Sequence, residues 1–324
     1  MTMSEAIVRA VADAMERDPS VYLIGQDVGV FGGPMNSAKG LWERFGDTGR
    51  IIDAPISEAA MVGTSVGAAM AGARPVVDLM FAEFLTLAVT PLGLEGASVA
   101  YRTRGRVTVP LVVRAKYGVG PHRGHAEGCV GMLMGFPGLK LVAPATPQDA
   151  YSLMAEAIAD ANPVVFLEHM SLLHAGRGEV DTALRVPIGA ARVASAGTDL
   201  TIAASGLMVR RALRAATALT ERGVSAEVVD LRTIVPLDVD TVLASARRTG
   251  RLLIVDESWP GAGPASELCS RLVRATGGAP GFTIEFLTPP STPVPFGAPL
   301  EKAYVPDVEQ IVAAASTPQE AFQS

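Results

Sequence analysis

A carboxylate, two loop histidines and a pair of aromatics stand where this chain could do chemistry. Glu58 opens a helix-like stretch within Asp53–Val62 (DAPISEAAMV), and the residues that follow, Ala59 to Ala71, are small and largely apolar. A carboxylate at a helix N-terminus ordinarily does no more than stabilise the helix dipole. Here Gly63, Gly67 and Gly72 follow on a helix with hardly any polar surface, which implies burial, and a buried carboxylate suits proton exchange. His122 and His125 lie in Arg114–Gly128 (RAKYGVGPHRGHAEG), where a strand runs into a glycine-rich loop. Histidines on such a loop sit where ligands bind in an α/β sheet, the alternative being exposed loop polarity. Phe81 and Phe84 in Met80–Leu85 (MFAEFL) read by themselves as core packing. Gly25–Gly33 (GQDVGVFGG) matches neither of the glycine spacings that cradle phosphates, so it reads as a turn at the C-terminal edge of a sheet.

The elements that must position these residues are legible as alternating patterns. Apolar, β-branched runs at Val21–Ile24, Pro75–Leu79, Leu111–Arg114, Leu139–Val142 and Val164–Leu167 are followed by Leu200–Ala203, Ala226–Asp230 and Leu252–Val255. Helical periodicity fills the intervals at Ser4–Arg17, Glu58–Ala71, Pro147–Ala161, Val209–Arg222, Asp238–Thr249 and Gly263–Ala275. Continuous apolar strands alternating with helices predict an α/β fold with parallel sheets covered on both faces. At 324 residues two domains are expected. The pattern lapses into glycine, charge and proline around Ala175–Gly189, which places domains at 1–176 and 189–324 with a linker over 177–188.

Composition removes several function classes. A hydrophobic fraction of 49% with 19% charged residues supplies ample core and excludes a disordered scaffold. The net charge of −6 and the absence of a basic, aromatic-interleaved run argue against nucleic-acid binding. No apolar run reaches the length of a membrane span, and the N-terminus is charged throughout, so neither membrane insertion nor a secretory signal is expected. Cys129 and Cys269 have no paired spacing, which fits a reducing cytoplasm. A mean hydropathy of +0.31 is high for a soluble chain. It implies surface hidden against partner subunits, or else a tightly packed, alanine- and valine-rich monomer.

Taken in order, GQDVGVFGG, APISEAAMVG, RPVVDLMFAEF, VPLVVRAKYG, GHAEG, FPGLKLVAPATPQDA, ANPVVFLE, VVDLRTIVPLD and TPVPFGAPLEKAYVPD resemble the β subunits of thiamine-diphosphate-dependent 2-oxo acid dehydrogenases. These belong to the first component of the pyruvate, branched-chain 2-oxo acid and acetoin dehydrogenase complexes. The resemblance covers nearly the whole chain and implies a pyrimidine-binding transketolase-like domain followed by a transketolase C-terminal-like domain. It implies that Glu58, in the I-S-E motif, hydrogen-bonds N1′ of the cofactor's aminopyrimidine and so promotes loss of the thiazolium C2 proton. Phe84 matches the last aromatic of an F-x-D-[FY] stretch that packs on the pyrimidine, and Ile56 matches a residue of the same pocket. His125 matches the histidine of an H-S-Q-S loop and would handle protons or orient substrate and lipoyl groups. Asp160 and Asn162 fall where the family binds a potassium ion, partly through backbone carbonyls. His122 has no family counterpart; with Glu127 it is assigned to the substrate loop.

The family's Mg²⁺-diphosphate pattern, G-D-G followed downstream by N-N, does not occur here. The resemblance therefore implies an α subunit that supplies the Mg²⁺ half of the site in an α2β2 heterotetramer, and docking of an acyltransferase core. Departures cluster near the substrate entrance: His125-Ala126-Glu127-Gly128 replaces H-S-Q-S, and Gly135 replaces a second histidine. Two further readings stay open: the C-terminal half of a split transketolase, or a thiamine-dependent carboligase or acyl transferase in specialised metabolism; and a non-catalytic subunit that only stabilises its partner.

Overall fold

The computed structural model describes residues 1–119 and 125–316. The chain divides into two compact units, Met1–Ile188 and the remainder from Gly189 onward.

In the first unit the strands are β1 (Val21–Gly25), β2 (Ile51–Asp53), β3 (Arg74–Phe81), β4 (Val112–Tyr117), β5 (Lys140–Val142) and β6 (Val164–His169). They pair in the order β5-β6-β4-β3-β1-β2, and every pairing among them is parallel. All residues of β4 and β6 are buried, as central strands covered on both faces must be. The covering helices are α1 (Met3–Arg17), α2 (Leu41–Phe45), α3 (Glu58–Met70), α4 (Val99–Arg102), α5 (Val130–Met134) and α6 (Pro147–Ala159). Thr2 begins α1 with a reciprocal capping box to Glu5, satisfying two backbone donors that the first turn leaves unpaired. Thr146 caps α6 ahead of Pro147, the arrangement the sequence predicts. The helix ends at Ala159 rather than Ala161 because Asp160 is extended (φ −63°, ψ 147°). Pro163 lies just beyond and disfavours helical backbone in the residue before it. Residues 177–188 bond within the first unit: Gly178 exchanges hydrogen bonds with Met1, and the backbone of Asp181 and Leu184 meets Gln148 and Ser152 of α6.

The second unit contains β7 (Arg192–Ser195), β8 (Leu200–Ala204), β9 (Ala226–Asp230), β10 (Thr233–Val235), β11 (Arg251–Val255) and β12 (Thr283–Leu287). Five of these form a sheet in the order β12-β11-β8-β9-β7. The pairings β8–β9, β8–β11 and β11–β12 are parallel, as expected, whereas the edge strand β7 runs antiparallel to β9. That strand carries half-exposed polar residues, so it lacks the apolar signature of a central strand and one of its sides faces no further strand. Around the sheet lie α7 (Leu207–Thr220), α8 (Val239–Thr249), α9 (Pro264–Ala275), α10 (Ala298–Tyr304) and α11 (Val308–Ser316). The core between α8, α9 and the sheet is built from Val229, Val242, Leu252, Ile254, Leu268 and Leu272.

Four charged side chains are sealed inside the first sheet. Lys116 Nζ donates to Asp78 Oδ1 at 2.9 Å, and Arg114 Nε donates to Glu168 Oε1 at 2.6 Å, all four residues being 1% exposed or less. Arg114 also donates to the Ser37 carbonyl at 2.8 Å and lies 3.9 Å from Asp78. Burial alone would raise the Asp78 carboxyl, but the Lys116 and Arg114 charges override it and hold the group well below the usual carboxylate range. Its stabilising contribution is therefore complete above about pH 4, the value of an unfolded aspartate, and is lost as pH falls below that. Removing one member of a buried pair costs about 3–5 kcal/mol. Asp78→Asn should lower the unfolding free energy read from urea titration by an amount of that order at neutral pH, and the difference from the unsubstituted chain should shrink as the titration is carried into acid.

Candidate active site

The carboxyl ends of β1, β2 and β3 open on one cleft of about 570 Å³, the end of a parallel sheet at which ligands bind. β1 ends in Gly25, and a Cβ there would lie 2.8 Å from the Asp78 carbonyl and from Val28. Glycine is thus what lets the chain turn over the top of β3 and bring Gln26 and Asp27 to the cleft. The stretch GQDVGVFGG is accordingly a turn at the sheet edge, with Gly33 N donating back to the Asp27 carbonyl at 2.8 Å.

After β2 the chain supplies Ile56 and Glu58. Glu58 occupies the first turn of α3, where the helix dipole favours negative charge. It is only 6% exposed, and Gln26 Nε2 donates to its Oε1 at 3.4 Å. The residue expected from sequence to be a buried carboxylate is one, and it lines the cleft. Ile56 is 83% exposed at the rim of the same cleft, and Val30 and Phe31 on the neighbouring loop are 80% and 79% exposed.

The third wall comes from β3, which ends in an irregularity. The register against β4 shifts between Asp78 and Phe81, and Met80 has φ +70°, a left-handed conformation that costs a side chain other than glycine about 1–2 kcal/mol. Asp78 Oδ1 accepts from Met80 N at 3.1 Å, so the acid paired with Lys116 also pins the bulge. The shift brings both Phe81 and Phe84 to the cleft, their rings edge-to-face with centroids 6.2 Å apart. Phe84 lies on the 3₁₀ segment Ala82–Ala88 that follows β3.

His125, on the loop after β4, completes the cleft. Its ring stacks on Phe81 at 4.4 Å between centroids with 14° between planes, and its Nδ1 lies 2.5 Å from Glu83 Oε1. His122 lies outside the described residues. Glu127 does not line the cleft; with Glu83 it adds to burial in pushing the Cys129 thiol up. Asp160 and Asn162 stand apart from the cleft, at the end of α6. Lys140 pairs with the Asp160 carboxylate, whose other oxygen accepts from Asn162 N at 2.9 Å. The carbonyls of Ile158 and Asp160 both face the Arg74 guanidinium, at 2.8 and 3.5 Å.

Gln26, Met80 and Glu83 were not singled out from sequence. The signals were present: Gln26 follows a strand directly, and Glu83 sits between the two aromatics. Among the described residues no group of three His, Cys, Asp or Glu is placed to hold a metal ion. The cleft thus offers an acid, an aromatic wall and a histidine, which suit a planar, nitrogen-bearing ring, while a diphosphate-bound divalent cation finds no ligand set among them.

The two units correspond to two known domains. Residues 1–175 match the pyrimidine-binding domain of transketolase and residues 189–311 its C-terminal domain. The chain is 40% identical to the β subunit of acetoin:2,6-dichlorophenolindophenol oxidoreductase of Cupriavidus necator, covering 97% of this chain and 96% of that one. It is 40% identical to the pyruvate dehydrogenase E1 component β subunit of Bacillus subtilis, over 84% of each, and 37% identical to the 2-oxoisovalerate dehydrogenase β subunit of the same organism, over 97% of each. Among solved structures, a split-gene transketolase described as an inactive β4 tetramer superposes with a TM-score of 0.78 at 21% identity, over 97% of both chains. Two domain matches and full-length relatives of this similarity place the chain in the transketolase-like, thiamine-diphosphate-dependent family of 2-oxo acid and acetoin dehydrogenase β subunits.

Proposed function

We propose that this chain is the β subunit of a heteromeric 2-oxo acid or acetoin dehydrogenase that cleaves its substrate with thiamine diphosphate and passes the acyl group to lipoamide. The observation that carries the reading is Glu58, a buried carboxylate in the first turn of α3 that lines a cleft walled by Phe84 and Phe81. When bound, thiamine diphosphate supplies the carbanion chemistry that breaks the bond beside a carbonyl.

The protein's own residues do the rest. Glu58 would hold a proton against the aminopyrimidine N1′, and Gln26, which also lines the cleft, donates to the carboxylate and orients it. Phe84 and Ile56 bracket the ring, with Phe84 offering an aromatic face. His125, held against Phe81, exchanges protons with substrate or orients it and the incoming lipoyl group; His122 and Glu127 belong to the same substrate loop in this reading. The domain division used is 1–176 and 189–324 joined by 177–188.

An α subunit in an α2β2 tetramer would supply the Mg²⁺ and diphosphate contacts, and the exposed apolar rim at Val30, Phe31 and Ile56 fits burial by such a partner. Docking of a lipoyl acyltransferase core and a cytoplasmic site of action complete the reading. No single helix among the described residues is long and apolar enough to cross a membrane. Potassium at Asp160 and Asn162 fits poorly, because Lys140 already pairs with the carboxylate and Arg74 already faces the carbonyls.

Co-expression with an α subunit, followed by assay of pyruvate, branched 2-oxo acids and acetoin with and without thiamine diphosphate and Mg²⁺, tests the reading. Cofactor-dependent turnover is expected only in the pair; turnover by this chain alone would refute a shared site. In the assembled pair, Glu58→Gln should lower kcat by at least about 10²-fold, the lower end of what general acid–base catalysis contributes, without loss of assembly. Phe84→Ala should weaken thiamine diphosphate binding by about tenfold, equivalent to about 1.4 kcal/mol, as read by calorimetric titration of the pair.

A further inference from the structure

Among the described residues, Glu83 is the carboxylate in contact with the candidate catalytic histidine. Its Oε1 lies 2.5 Å from Nδ1 of His125. His125 lines the cleft, whereas Glu83 does not, so the acid stands behind the ring as seen from the ligand. Phe81, 7% exposed, stacks face-on against the imidazole, and Phe84 meets it edge-on at 5.6 Å. Two aromatic contacts and a short hydrogen bond therefore fix both the plane of the ring and its rotation about that plane. Among the described residues no lysine or arginine pairs with Glu83, so the His125 ring is the partner that neutralises its charge when protonated.

We propose that Glu83 is a positioning residue for His125: it keeps the proton on Nδ1 and so presents Nε2 to the cleft as a proton acceptor. A carboxylate can only accept a hydrogen bond, which forces Nδ1 to be the donor and leaves the lone pair on the other nitrogen. When Nε2 takes a proton, the imidazolium forms against a carboxylate already in contact, so the charge is balanced without rearrangement. Glu83 occupies the acidic position of the F-x-D-[FY] pattern with a side chain one methylene longer than Asp. The inference rests on the reading of His125 as a proton-handling group given above.

Two measurements test it. In the isolated chain labelled with ¹⁵N-histidine, His125 is expected to show the Nδ1–H tautomer and a strongly deshielded Nδ1 proton. Glu83→Gln should abolish that proton signal and His174→Gln, at an exposed histidine that does not line the cleft, should leave it unchanged. In the assembled pair, assayed with the substrate it turns over, Glu83→Gln should lower kcat on the order of 10²-fold while KM changes by less than about twofold. The double variant with His125→Gln should then be no worse than His125→Gln alone. An Nε2–H tautomer in the unsubstituted chain overturns the proposal, as does wild-type kcat in Glu83→Gln when His125→Gln is inactive, or losses that multiply in the double variant. Wild-type kcat in His125→Gln would instead sink the reading of His125 itself, and the proposal with it.

Discussion

The site depends on an ion pair that never touches ligand. Asp78 and Lys116 are sealed between neighbouring central strands, and the same Asp78 oxygen that accepts from Lys116 also accepts from the backbone of Met80. That second bond holds β3 in a left-handed step at its carboxyl end. Without the step, alternation along a regular strand would send successive side chains to opposite faces of the sheet. With it, Phe81 and, on the segment that follows, Phe84 both reach the cleft. Four buried charges are an expensive way to build a sheet centre, and their return is a rigid bend at the point where the binding wall has to turn.

The strand–helix alternation was readable because central parallel strands are continuous apolar runs, and the helices between them carry caps with mechanisms, such as Thr146 before Pro147. The strands that escaped, β2, β7, β10 and β12, are short or half-exposed and lack that signature. The antiparallel direction of β7 is a property of sheet edges that periodicity does not encode. At the site, Glu58 was legible because a lone acid ahead of a small-residue helix is conspicuous. The Arg114–Glu168 and Asp78–Lys116 pairs were not, since their members are 54 and 38 residues apart in the chain and only the strand order β6-β4-β3 makes them neighbours. Glu83 was hidden for a different reason. Its partner lies on a loop, and nothing in either sequence segment specifies that the two meet.

The chemistry is shared out unevenly. What the described residues provide is an acid, aromatic faces and a histidine, all from the carboxyl ends of adjacent parallel strands. What they lack is a cluster able to hold a divalent cation. The relatives are named as β subunits.

The rim formed by Val30, Phe31 and Ile56 bears on how the protein must be made. Each of these side chains is about four-fifths exposed in the chain by itself, beside a cleft that is open. Molecules synthesised in excess of whatever covers that rim would carry a sticky surface through the cell, prone to self-association and to capture by chaperones. If a partner chain covers these side chains, as proposed above, its balanced synthesis is a requirement written into the two loops that carry them.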